Sequence, residues 1–334
     1  MIKLPIVLAI LTFVLIYFLR LAQGGWEPKL DLFSEFREAL DQRISDLLPS
    51  PQAELLSGIL LGNKKDLPAQ LKLALRDTST LHIVVASGQN LSMVAGFFLS
   101  LAGLIKRKNA ILLSLLAVFL YSLLTGLQVP IMRAAVMFSF ASIAQLVGRQ
   151  KDTGWILIIT GAIMLLINPS WLLDLSFQLS FLATFGVVIV APILLKYLKL
   201  IPILGQDLAV TLGAQLMIIP IIAQNFHQLS LVGVLANLLV GWTIVFIMIL
   251  GSLMIILGSI FATVVNIFLT YFIYIVQFFA SMPFAWEYIG EQSSLVWVGY
   301  YLILLAVMLL LNNDQTKNPG RFEKGNQPTG LSHN

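Results

Sequence analysis

Residues 228–286 read QLSLVGVLANLLVGWTIVFIMILGSLMIILGSIFATVVNIFLTYFIYIVQFFASMPFAW, 59 residues without one charged side chain. A helix needs about 20 apolar residues to cross the hydrocarbon core of a bilayer, so this run alone holds two crossings and the turn between them. The rest of the chain agrees: 58% of its 334 residues are hydrophobic, 11% are charged, and the mean hydropathy is +0.92. A transmembrane barrel would show short alternating strands instead, so the expected class is an all-α polytopic integral membrane protein. With no cysteine and only His82, His227 and His333 as histidines, the chain offers neither disulfides nor a metal-ligand spacing. No cofactor is expected.

Outward from that run, apolar segments near 80–104, 109–127, 131–148, 154–168, 172–195, 207–222, 229–250, 256–281 and 294–311 predict nine spans, and a first helix makes about ten. That first helix occupies residues 1–23 and reads as a retained membrane anchor rather than a cleaved signal, because LAQGG is a poor small-x-small cleavage site. Residues 24–79 hold seven Lys and Arg against nine Asp and Glu. Within them Leu32, Phe33, Phe36, Leu40, Ile44, Leu47 and Leu48 recur at helical spacing, which predicts an amphipathic helical segment lying on the membrane or on the bundle. The membrane-spanning bundle is then residues 80–311, followed by a polar, disordered tail at 312–334.

The basic clusters Lys106–Lys108, Arg149 with Lys151, Lys196 with Lys199, and Lys317, Arg321 and Lys324 fall on alternate connections. The positive-inside rule places them, and both termini, in the cytoplasm, with 24–79 outside. The net charge of +4 needs no other explanation.

One cation fits no loop, tail or boundary. Arg133 lies in LQVPIMRAAVMFSFASIAQLVGR, residues 127–149, about one turn past Pro130. An arginine near the bilayer centre costs about 3 kcal/mol, so it is expected to face a protein interior, an ion partner or a water-filled path. Asp174 is the expected partner, with Gln178 one turn on along the same face and Ser180 beyond. The densest intramembrane polarity is HIVVASGQNLSMVAG, residues 82–96, where Ser87, Gly88, Gln89 and Asn90 follow His82. A small-glycine-polar step predicts a broken or re-entrant helix, whose free N–H groups and positive dipole end suit an anion. Gln215, ahead of Pro220, and Asn237 add amides to later spans.

These blocks, in this order, resemble the competence domain of ComEC-type DNA-uptake channels. LRDTSTLHIVVASGQN resembles the family's serine–glycine step, YSLLTGLQVPIMRAAVM its tyrosine-to-arginine block, and LINPSWLLDLSFQLSFLATFG its Phe-Gln-Leu-Ser-Phe block; AQLMIIPIIAQNF and LVGVLANLL are similar to its next two spans. The family's histidine after the serine–glycine step is Asn90 here. No histidine–x–histidine–x–aspartate motif of an appended metallo-β-lactamase-like domain occurs, and residues 24–79 are too few for an extracellular oligonucleotide-binding domain, so a minimal core without nuclease activity is expected.

The resemblance implies translocation of single-stranded DNA through the inner membrane in natural transformation. It also implies contact with membrane lipid and separate partners: a DNA receptor, a nuclease, and a cytoplasmic motor or DNA-binding protein. His82, Ser87, Gly88, Gln89, Asn90, Arg133, Asp174, Gln178, Ser180, Gln215 and Asn237 are the candidate lining residues. A secondary transporter of a small anionic solute uses the same buried arginine and broken helix, but would show an inverted repeat. A hydrolase built on Ser87 with His82 or His227 lacks an orienting third group.

Overall fold

The computed structural model describes residues 4–24, 32–63, 67–84, 87–149, 152–198 and 204–317. Lys151, Lys199 and the tail beyond Lys317 lie outside them, as do residues 25–31 of the amphipathic segment. The first helices are α1 (Leu4–Gln23), α2 (Ser34–Leu47), α3 (Gln52–Leu61), α4 (Ala69–Asp77), α5 (Leu81–Val84), α6 (Gly88–Ser100), α7 (Arg107–Leu124), α8 (Val129–Leu146) and α9 (Thr153–Ile167). Then come α10 (Leu175–Phe185), a π turn at Gly186–Val190, α11 (Ala191–Leu198) and α12 (Gly205–Phe226). Strand β1 (Gln228–Ser230), α13 (Gly233–Gly241), α14 (Thr243–Leu257), α15 (Ala262–Ala280), strand β2 (Trp286–Tyr288) and α16 (Ser294–Lys317) complete the chain.

Some helices begin where the chain supplies a cap. Asp152 accepts the Trp155 N–H at 3.2 Å to open α9, and Pro130, which has no N–H to orphan, stands in the first turn of α8. Among the described residues five helical spans are long and apolar enough to cross a membrane: Arg107–Leu124, Val129–Leu146, Leu175–Leu198, Gly205–Phe226 and Ala262–Ala280. A sixth is the pair α13 and α14, bent by 43° at Gly241 and Trp242. The expected ten is thus not reached on length and composition, because α9 is a helix of only 15 residues, the span from 80 to 104 is divided between α5 and α6, and α1 and α16 contribute only the shorter apolar stretches Leu11–Gln23 and Leu295–Leu311.

The largest core joins α2, α3, α4 and α5 to α14 and α15. Leu55, Leu56 and Ile59 of α3 are fully buried against this set, with Ile244 and Ile247 of α14 and Leu269 and Phe272 of α15 buried in the same cluster. Gly251 admits the contact: a Cβ there would stand 2.7 Å from Leu56 Cδ1. On α2 the amphipathic face divides, Ile44 and the following Leu48 being buried while Leu32 and Phe36 are exposed. Among apolar helices in a bilayer such close packing, rather than water exclusion, holds neighbours together.

A second group packs α6 on α7 and α8, and α8 on α9 and α10. The π turn and the helices on either side of it lie along α12, where a Cβ on Gly186 would come within 2.1 Å of the Gly213 carbonyl oxygen, so the two backbones touch only because both residues are glycine. Connections expected on one side meet in space. The Gln128 amide donates to the Gly62 carbonyl at 3.2 Å, β1 pairs antiparallel with β2 (Gln228 opposite Tyr288), and the Tyr17 hydroxyl donates to the Pro169 carbonyl at 3.4 Å.

Candidate functional site

The break in the polar stretch is where it was expected: α5 stops at Val84 and α6 starts at Gly88, with extended Ser87 as its cap (φ −115°, ψ 165°). The Ser87 hydroxyl oxygen accepts the Asn90 N–H at 3.4 Å. Asn90 is 1% exposed and its amide donates to the Ile59 carbonyl at 2.9 Å, tying α6 to the last turn of α3. The Tyr121 hydroxyl of α7 lies beside Asn90 without closing a well-formed hydrogen bond.

Arg133 enters this corner from α8. It is only 9% exposed, and a Cβ on Gly88 would stand 3.1 Å from Arg133 Nη2 and 3.1 Å from Ala134 Cβ. Gly88 is therefore the residue that lets the guanidinium lie against the N-terminal turn of α6. On its other side the guanidinium carbon is 5.9 Å from the centre of the Phe181 ring, a cation–π distance. Arg133 Nε is buried with no hydrogen-bond partner, and among the described residues no carboxylate pairs with the group.

The expected ion pair with Asp174 is thus not formed. Asp174 caps α10, accepting the Phe177 N–H at 2.8 Å, and Gln178 donates to the Leu172 carbonyl at 3.0 Å. Phe181, the α10 residue that meets Arg133, lies seven residues past Asp174, nearly two turns and about 10 Å along the helix. The helix end claims the carboxylate because its free N–H groups need an acceptor.

The structure therefore gathers Ser87, Gly88, Asn90 and Arg133 at one junction of α6 and α8. Gln89 is exposed beside them, and its side chain makes no hydrogen bond among the described residues. His82 is exposed on α5, its Nδ1 2.9 Å from the Ser79 carbonyl oxygen, and takes no part in the junction. The Ser180 carbonyl accepts the Thr184 hydroxyl at 2.9 Å within α10. Gln215 and Asn237 belong to a separate seam between α12 and α13: Asn237 donates to the Thr211 hydroxyl at 3.1 Å, and Gln215 Nε2 comes 3.2 Å from where a Gly233 Cβ would be. Sequence reasoning did not single out Phe181, Tyr121 or Thr211. An aromatic ring in an apolar run carries no signal of its own; only its place in a block with a buried cation could have marked it.

Chemically, the junction sets a buried cation beside the positive end of a 13-residue helix, whose first turn is capped by the Ser87 hydroxyl. Neither positive feature offsets the other, so the arrangement favours an anion.

The family profile described as competence protein matches residues 59–314. The chain is 29% identical over 197 residues to ComE operon protein 3 of Bacillus subtilis, covering 58% of this chain and 25% of that protein. It is 27% identical over 237 residues to the uncharacterized protein YcaI of Escherichia coli, covering 64% and 30%, and 31% identical over 129 residues to an uncharacterized protein of Aquifex aeolicus, covering 38% and 30%. The chain spans less than a third of the length of these relatives. No solved structure matches it.

Proposed function

The chain belongs to the competence protein family, and from that premise we propose that it conducts single-stranded DNA across the cytoplasmic membrane during DNA uptake. The observation that carries this reading is Arg133: a buried cation, unpaired at Nε, set against the first turn of α6. A strand of phosphates needs donors and positive potential along its path and few anionic traps, and this junction supplies the first two. Phe181 offsets part of the charge while no strand is present, and as a ring it takes up none of the guanidinium's hydrogen-bond donors.

In this reading α1, α5 with α6, α9, α13 with α14, and α16 cross the membrane beside the five longer spans, giving ten crossings with both termini in the cytoplasm. The seam of Thr211, Gln215 and Asn237 adds uncharged contacts. The protein itself takes no catalytic step; a receptor, a nuclease and a motor or DNA-binding protein act beside it.

The test is uptake of labelled single-stranded DNA by cells or liposomes bearing the protein or its Arg133→Gln variant, with membrane insertion checked for both. Loss of one charge-assisted phosphate contact predicts a fall of about tenfold or more. Equal uptake would reduce Arg133 to a packing residue, and no uptake by either protein with the other uptake components supplied would favour a small-anion transporter.

A further inference from the structure

Helix α1 packs chiefly on α9 and on the turn at Pro169–Leu173, and its seat on α9 is incomplete. Between the two helices lies a cleft of about 360 Å³ lined by Arg20, Ile163, Leu166 and Ile167. Its walls are branched aliphatics from the last turns of α9, and the cation stands in the last turn of α1. The Tyr17 hydroxyl on the Pro169 carbonyl and the buried Trp171 mark this as an interfacial level, where amphipathic rings settle. Among the described residues Arg20 has neither an ion pair nor a hydrogen bond.

A gap of this size between two membrane helices is filled by whatever the solvent is at that depth, and there the solvent is lipid. An acyl chain suits the aliphatic walls, and a phosphate suits the exposed guanidinium above them. We propose that the cleft between α1 and α9 is a binding site for one anionic phospholipid, its phosphate on Arg20 and an acyl chain against Ile163, Leu166 and Ile167. The bound lipid then completes the contact between α1 and the bundle. The DNA reading plays no part in this argument.

The experiment is native mass spectrometry of the full chain released from mild detergent containing equal phosphatidylglycerol and phosphatidylcholine. One retained phosphatidylglycerol is expected, in preference to phosphatidylcholine, and Arg20→Gln should lower its bound fraction about tenfold. Leu166→Trp, which fills the cleft, should abolish retention of both lipids, while Arg149→Gln, an exposed cation at the far end of α8, should leave it unchanged. Circular dichroism confirms that each variant is folded. Equal retention of the two lipids by the native chain, or undiminished phosphatidylglycerol on folded Arg20→Gln, overturns the proposal.

Discussion

Asn90 joins two helices through one donor, and what it donates matters more than its size. Its amide satisfies the Ile59 carbonyl in a place water does not reach. Asn90→Ala leaves that carbonyl unpaired and should cost about 1–3 kcal/mol. Asn90→Asp keeps the shape but removes the donor, setting two acceptors face to face, and should cost more than alanine. Thermal unfolding in detergent, followed by circular dichroism, ranks the two; a milder aspartate would break the argument. At this scale Ser87, Gly88, Asn90 and Arg133 were legible because polar groups stand out in apolar runs. Phe181 and Tyr121 were not, since in such runs rings are the background. Asp174 was misassigned because charge complementarity was weighed and the helix end's own demand for an acceptor was not.

Among the elements, α12 shows how a membrane helix keeps a proline. Pro220 has no N–H, so the carbonyl of Leu216, four residues earlier, loses its helical partner. The Tyr300 hydroxyl of α16 donates to that carbonyl at 2.9 Å, and Tyr301 does the same for Met217. The freed backbone is thus satisfied from a neighbouring helix, as the low-polarity surroundings require. Tyr300→Phe should cost about 0.5–1.5 kcal/mol in the native chain. With Pro220→Ala, which restores the intrahelical bond, it should cost close to nothing; a double-mutant cycle on thermal stability measures the coupling, and additive costs would refute it. The proline was plain in the sequence, but its brace was not, because nothing local ties residues 216 and 300. The burial of α3 was equally hidden: AELLSGILL is one apolar run, and one such run does not say whether lipid or protein surrounds it. The 43° bend between α13 and α14 falls at Gly241 and Trp242, with no proline to announce it.

For the whole molecule, the order of apolar segments foretold nearly every helix, because hydrophobic length is a strong local signal. Which helices touch is set by long-range packing and was not foretold. Sidedness can be tested cleanly because the native chain has no cysteine. Cysteine at Glu287 should react with a membrane-impermeant maleimide in intact cells, and cysteine at Lys108 only after permeabilisation; the reverse pattern would invert the topology. The pairing of β1 with β2 carries a further consequence, for the order of assembly. Gln228 meets Tyr288, sixty residues later, and between them lie α13, α14 and α15. At a synthesis rate of roughly 5–20 residues per second, β1 waits several seconds for its partner strand to be made. During that interval α12 has reached the membrane while its exit strand is unpaired, so the clasp closes only after the whole α13–α15 unit has been delivered to the bilayer.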